Sequence, residues 1–295
     1  MKIYEKYYNE KTKHTIHKIF GIKIKIKTKD LKILQIYKQI LTIHKILNAY
    51  LDISKFPQAE GLLRDQQMQC LYLLNIVDEI CKTNNLTYWL EGGTLLGAYR
   101  HRGFIPWDND VDICMPREDY DKILPLLKTV FTEEKEFFVR ERAVTINYFQ
   151  IRIRHHLKNI GLDIFPVDSY YKSDLDEGEL KEVTKEIKHS YKVFNKKYPN
   201  KLLSCEDIPK AKKDLLQIRD TVIMKNKPVA KEHPALFYGI DFPYNNAKGN
   251  LIMNSEIIYP LNSLVFENKE YPVPNRTDLY LKNLYGEYMS FPKIF

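Results

Sequence analysis

Long apolar runs are missing from these 295 residues. No stretch reaches the roughly eighteen apolar residues that a membrane-spanning helix needs, so no segment is expected to cross a bilayer. The N-terminus also lacks an apolar h-region and a small-residue cleavage site, which argues against a secretory signal and for a cytoplasmic protein. Cysteine is sparse. Cys70, Cys81, Cys114 and Cys205 include no CxxC spacing. The first two lie in a helical pattern and Cys114 in a strand pattern, so buried free thiols in a reducing compartment are expected. Ala and Gly are scarce beside abundant Lys, Ile, Asn and Tyr, a bias that reflects an AT-rich genome rather than an activity.

A net basic charge is missing from most of the chain. The formal net charge is +8, yet residues 1–50 alone hold twelve Lys against Glu5, Glu10 and Asp30, a net of +9. The 46 basic and 38 acidic residues of the whole chain therefore leave 34 and 35 for residues 51–295, a net of −1. A nucleic-acid footprint spread over the protein is excluded on that distribution, and no nucleic-acid partner is expected. What is present is a folding composition: 44% hydrophobic and 13% aromatic residues, enough for a real core and unlike a disordered chain.

Ile22-Lys-Ile-Lys-Ile-Lys-Thr-Lys29 alternates strictly and reads as a strand with one lysine face. Leu31–Leu51 follows as a basic amphipathic helix. It either docks on the domain with its lysines in water or lies on an anionic membrane surface, and one segment can do both in different states. After a connector at Ser54–Gly61, the pattern predicts a long helix over Leu62–Asn84, a strand over Leu86–Leu90, a short helix over Thr94–His101 and a strand over Val111–Met115. A helix from Glu118 to Phe131 comes next, then strands at Phe137–Arg140, Tyr148–Arg154 and Leu162–Phe165. Charged helical patterns cover Leu175–Lys197 and Ile208–Lys225. Short strands fit Leu264–Phe266 and Tyr271–Val273, and a last helix fits Thr277–Tyr285. The organisation expected is a basic segment, 1–55, and a catalytic domain, 60–295, with its core over about 60–170 and an extension over about 171–295.

The chemistry concentrates in two motifs. Gly92-Gly93 follows a strand and precedes a helix. Two absent side chains there let backbone N–H groups and a helix N-terminus face an anion, and Thr94 either caps the helix or donates its hydroxyl to a phosphate. The plainer alternative is a tight turn with an N-cap. Asp110-Val-Asp112 supplies the second motif. Carboxylates at i and i+2 on a strand share a face, and that pair is costly unless a divalent cation or a shared proton compensates it. Each signal alone is weak. Together, with a helix between them, they point to Mg²⁺- or Mn²⁺-assisted chemistry on a phosphate.

Asp163, between apolar neighbours on a strand pattern, is the candidate third carboxylate; its alternative is an ion pair with Arg152 or Arg154. Asp168 competes with it but follows Pro166 and reads as a loop residue. Asp108 reads as a supporting or capping group. Arg100 and His101, with Arg102, end the short helix, where they either hold phosphate oxygens or satisfy the helix dipole. Arg152 and Arg154 share a strand face, and one can clamp phosphate. Trp89 reads as core, whereas Trp107, following Pro106 in a loop, is the better candidate for stacking on a base or facing a quaternary ammonium.

Three segments carry a resemblance: Tyr88-Trp-Leu-Glu-Gly-Gly-Thr-Leu-Leu-Gly-Ala-Tyr-Arg-His101, Phe104-Ile-Pro-Trp-Asp-Asn-Asp-Val-Asp112 and Leu162-Asp-Ile-Phe-Pro-Val-Asp168. With Tyr259-Pro-Leu, Phe266-Glu, Tyr271-Pro-Val-Pro274 and Tyr285-Gly-Glu-Tyr288, they resemble the LicD family of phosphotransferases, the group of fukutin and the fukutin-related protein. The resemblance covers about residues 60–290 and leaves out residues 1–50. It implies an α/β, nucleotidyltransferase-like fold, a mixed sheet flanked by helices. It implies transfer of a phospho-alcohol from a CDP-activated donor, typically CDP-choline in bacterial members, to a sugar hydroxyl of a surface glycan, with CMP released. By motif position Asp110 and Asp112 would be metal ligands and Asp163 the third carboxylate, metal ligand or proton acceptor. Gly92, Gly93 and Thr94 would form the phosphate-facing turn, and Arg100 and His101 fall on the family's Arg-His pair. Tyr99 departs from the smaller residues common there. Rival readings are a nucleotidyltransferase moving NMP from an NTP and a non-catalytic membrane-docked binding protein.

Overall fold

The computed structural model describes residues 4–9, 14–19, 22–26, 31–132, 134–143, 149–158, 160–170, 185, 189–190, 192–194, 196–198, 207–225, 235–238 and 252–291. Cys205 and the start of the helical pattern expected from Leu175 lie outside them. The chain divides into two units: residues 1–56 with 246–248 and 285–295, and residues 57–245 with 249–284.

In the first unit, β1 (Tyr4–Asn9), β2 (His14–Ile19) and β3 (Ile22–Ile26) form an antiparallel three-stranded sheet. β3 is the alternating lysine strand. β1 and β2 lack such strict alternation, which is why only the third strand was legible. α1 (Leu31–Tyr50) follows as expected. A single 3-10 turn at Ile53–Lys55 is capped by Asp52, whose carboxylate accepts the Ser54 N–H at 3.0 Å.

The second unit is a mixed seven-stranded sheet flanked by helices. α2 (Gly61–Thr83) buries Cys70, Leu73, Leu74, Val77 and Cys81, a three-and-four spacing that lays one stripe on the core. Asn85, at φ 54°, ends it in the left-handed region that Asn tolerates. β4 is only Trp89–Leu90, shorter than the five residues expected, because just those two pair with β5 (Val111–Pro116). α3 (Gly92–His101) lies between them, and α4 (Arg117–Val130) follows β5.

β6 (Phe137–Ala143), β7 (Phe149–His155) and β8 (Gly161–Tyr170) complete the centre. β5 and β8 are parallel and the other pairings antiparallel. β8 is buried from Gly161 to Asp168. One of its edges serves two partners in turn: β7 pairs with residues up to Ile164, and β9 (Ala235–Tyr238) from Val167 onward. Pro166 falls between them, where a missing backbone donor does least harm to the ladder. Asp168 is thus a strand residue and not the loop residue expected.

α5 (Asp207–Lys225), β10 (Ile252–Asn254) and α6 (Ser255–Ile258) follow. A β11 (Asn262–Phe266), β12 (Lys269–Val273) hairpin and α7 (Thr277–Tyr285) end the series. Cys70, Cys81 and Cys114 are buried free thiols. Among the described residues no helix is long and apolar enough to cross a membrane.

Candidate active site

Two hydrogen bonds fasten the start of α3 to β5. The Glu91 N–H donates to the Asp112 carbonyl at 2.9 Å, and the Asp112 N–H donates to Thr94 Oγ1 at 2.9 Å. Thr94 therefore holds the carboxylate-bearing strand rather than capping its own helix. Gly92 and Gly93 are the first two residues of α3, not a turn ahead of it. Gly92 has φ +55°, and a Cβ there would stand 2.9 Å from Asp112 Oδ2; one on Gly93 would collide with Asp108 Oδ2. The two glycines thus admit two carboxylates against the first turn of a helix, where the macrodipole favours negative charge.

Asp112 lies in β5, whereas Asp110 precedes the strand by one residue. Burial, followed by the charges of Asp110, Asp163, Asp108 and Glu91, holds the Asp112 carboxyl well above the ordinary carboxylate range. Asp108 is pushed up to about 7, first by burial, then by the charge of Asp110 and a hydrogen bond shared with it. The Asn109 N–H, donating to Asp108 Oδ1 at 3.1 Å, opposes that shift only in part. A like-charged, all-oxygen group of this kind is relieved by protons or by a hard cation. Among the described residues no three His, Cys, Asp or Glu side chains stand together as a finished metal shell.

Asp163 stands beside this group. It is the direct register partner of Asp112 across the parallel β5–β8 pair, and of Arg152 across the antiparallel β7–β8 pair. Its carboxylate accepts from Arg152 Nε at 3.2 Å and Nη2 at 3.4 Å, and is ion-paired with Arg154 Nη2. The Arg154 side chain crosses over Gly161, where a Cβ would block it. The ion-pair alternative for Asp163 and its place beside the Asp pair are thus both realised. Cys70 of α2 donates its Sγ–H to the Asn109 carbonyl at 3.4 Å, and burial pushes its thiol up to about 11, so it is inert packing under the loop.

Residues 85–206 match the family model described as the LicD/FKTN/FKRP nucleotidyltransferase domain. This segment is a LicD-family domain. Over 84 residues, 28% of its length, the chain is 42% identical to a Haemophilus influenzae protein named lipopolysaccharide cholinephosphotransferase LicD. It is 34% identical over 89 residues, 30% of this chain, to the Mus musculus protein named ribitol 5-phosphate transferase FKRP. The matched segments span 31% and 18% of those two relatives. A solved structure of ANT(2")-Ia in complex with adenylyl-2"-tobramycin aligns over 52% of this chain and 92% of its own, at 13% identity. Its TM-score is 0.24.

Groups outside the matched segment hold the LicD domain's carboxylate loop in place. Gln67 of α2 is wholly buried, and its Nε2 donates to the Asp108 carbonyl at 2.9 Å and the Ile105 carbonyl at 3.3 Å. Arg64 donates to Gln67 Oε1 at 3.2 Å and pairs through both nitrogens with Glu267, at 2.9 and 2.6 Å. Glu267 also accepts the Phe104 N–H at 3.1 Å, and its own N–H reaches the Arg102 carbonyl at 2.8 Å. Behind Asp112, the buried Glu91 accepts from the Tyr280 hydroxyl. The sequence reading assigned no part to Arg64, Gln67, Glu91, Glu267 or Tyr280. The available signals were Glu91 directly before the glycines and the Phe266-Glu267 pair.

The remaining candidates separate. Arg100 is buried and its Nε donates to His101 Nε2 at 3.0 Å. The His101 ring meets Trp107 edge-on at 6.5 Å, with Trp107 half exposed. Trp89 is core, edge-on to Tyr259 at 6.1 Å. Asp168 is held by Arg117, which donates from Nε at 2.8 Å and Nη2 at 3.1 Å, so its carboxylate is committed on its own.

Proposed function

We propose that the chain transfers a phospho-alcohol, first of all phosphocholine from CDP-choline, to a sugar hydroxyl of a cell-surface glycan or its lipid-linked precursor. The observation that carries this reading is the crowding of Asp108, Asp110 and Asp112 against the first turn of α3, beside the Asp163–Arg152–Arg154 group. The two relatives named as transferases of phosphocholine and of ribitol 5-phosphate support it. Placement in the cytoplasm, peripheral on the inner face of the membrane that bears the acceptor, belongs to the same reading.

Mg²⁺ or Mn²⁺ fits the residues present, because the donors are all carboxylate oxygens whose mutual repulsion a hard cation would relieve. Asp110 and Asp112 would hold it, and it would neutralise charge on the donor's diphosphate. Two carboxylates suffice, since Mg²⁺ commonly completes its octahedron with water and substrate phosphate. Asp163 orients Arg152 and Arg154 toward the charge that develops on the leaving CMP. The acceptor oxygen bonds to the distal phosphorus as the bond from that phosphorus to the bridging oxygen breaks. The hydroxyl proton passes to a carboxylate of the cluster. Trp107, half exposed beside His101, offers a face to the base or to the alcohol's cationic head.

The test supplies CDP-choline, CDP-glycerol and CDP-ribitol in turn with a glycan acceptor and Mg²⁺, following CMP and acceptor mass. CMP with a phospho-alcohol on the glycan is the expected result. Pyrophosphate from an NTP with a nucleotidylated acceptor would replace the reading with nucleotidyl transfer. Neither product from any donor would favour a binding role.

A further inference from the structure

α1 turns a row of apolar side chains to solvent. Ile36, Ile40, Ile43, Ile46 and Tyr50 are between 41% and 82% exposed. At 3.6 residues per turn they fall within about 120° of arc, one stripe along the helix. The neighbouring flank is the one held by the first unit. His44 is buried there, and the Asn48 side chain accepts the Phe291 N–H at 2.8 Å. Lys38 and Lys45 are exposed on the side opposite the stripe. Single exposed apolar residues are ordinary, but a continuous stripe of four isoleucines and a tyrosine marks a contact surface.

Charge decides what covers it. Residues 1–50 carry a net +9, so a second copy would set +9 against +9 over the same segment. An acidic protein would complement the lysines but need not bury the isoleucines. An anionic lipid leaflet does both, with hydrocarbon beneath and negative headgroups around. Tyr50 has the amphipathic ring that settles at such an interface.

We infer that α1 is a lipid-docking face, lying in the headgroup layer of an anionic leaflet with Ile36, Ile40, Ile43, Ile46 and Tyr50 inserted. This deepens the peripheral placement proposed above and is independent of the transfer chemistry, because lipid binding needs no donor or acceptor.

The full chain is floated with phosphatidylcholine vesicles with and without phosphatidylglycerol, at low and raised salt. It is expected to partition at least about tenfold better onto the anionic vesicles, and less well as salt rises. The double variant Ile40→Glu, Ile43→Glu is expected to lose that partition at least about tenfold while keeping its circular dichroism and melting midpoint. If that variant does not fold, an environment-sensitive dye on Ile43→Cys in the otherwise native chain serves instead, with a blue shift expected on anionic vesicles alone. No flotation, undiminished flotation of a folded double variant, or a dye indifferent to lipid would overturn the inference. So would self-association in sedimentation that the double variant abolishes while vesicles leave the protein unbound.

Discussion

Asp112 and Asp163 face each other across the parallel β5–β8 register, yet one is surrounded by carboxylates and the other by guanidinium groups. Their removal should therefore act on stability in opposite directions. Asp163→Asn leaves Arg152 and Arg154 without their shared anion and is expected to cost about 1–3 kcal/mol. Asp112→Asn removes a buried carboxyl that its neighbours' charges disfavour, and should leave stability unchanged or raised in metal-free buffer. CMP release should fall at least about 100-fold in Asp112→Asn regardless. Urea unfolding midpoints beside the donor assay check the pair, and equal destabilisation by both would refute the electrostatic account.

Gly92→Ala imposes a side chain on a backbone at φ +55° and 2.9 Å from Asp112 Oδ2. The left-handed conformation alone costs about 1–2 kcal/mol. Displacement of the carboxylate should add a loss of transfer beyond what the lower folded fraction explains. Initial rates at a temperature where the variant is fully folded separate the two effects. Full activity there would show that the close approach of Gly92 to Asp112 is dispensable.

Glu267 braces the carboxylate loop from the β11–β12 turn, through Arg64 and the Phe104 N–H. Glu267→Gln keeps the shape and removes the charge. The expected loss is about 1–3 kcal/mol for a charge-assisted pair. Because the brace ends on the segment bearing Asp108, kcat should fall more than KM rises. A variant with lowered melting but native kcat would make the brace purely structural.

The pH dependence follows from Asp108. Its carboxyl is held up to about 7, against 3.8 for an ordinary aspartate. Between those values the folded protein keeps a proton that the unfolded chain has released. More protons bound in the folded state means that stability falls as pH rises through that window. In chelator-containing buffer the unfolding midpoint should therefore decline from about pH 4 toward about pH 7, and Asp108→Asn should flatten that part of the curve. Mg²⁺ added above pH 7 should raise the midpoint by mass action, and should do so less in Asp112→Asn. Identical slopes for wild type and Asp108→Asn would remove Asp108 as the source.

What was legible in the sequence was local. The apolar stripe of α2, the ends of α4, α5 and α7, and the β11–β12 pair followed from periodicity and stop residues, because burial of one face imposes a repeat on neighbouring residues. Asp163 was legible as a buried carboxylate from its apolar neighbours. β4 was overextended: only Trp89 and Leu90 pair with β5, although β5 runs on to Pro116, and nothing within Leu86–Leu90 records which of its residues the partner takes.

The sequence by itself singled out the candidate residues: two glycines at a strand-to-helix junction, a carboxylate pair, and a third carboxylate in an apolar run. Only the tertiary structure decided what those groups do to one another. Gly92 and Gly93 admit Asp112 and Asp108 to the helix terminus, Asp163 is claimed by two arginines one strand over, and Asp110 sits just off the strand. Glu267 and Tyr280 reach the site from 203 and 189 residues beyond their partners Arg64 and Glu91. Hydrophobic periodicity is written between adjacent residues, whereas register and long-range hydrogen bonds are chosen when separate segments compete to satisfy buried polar groups. The charges of the site are therefore apportioned only once the sheet has closed around them.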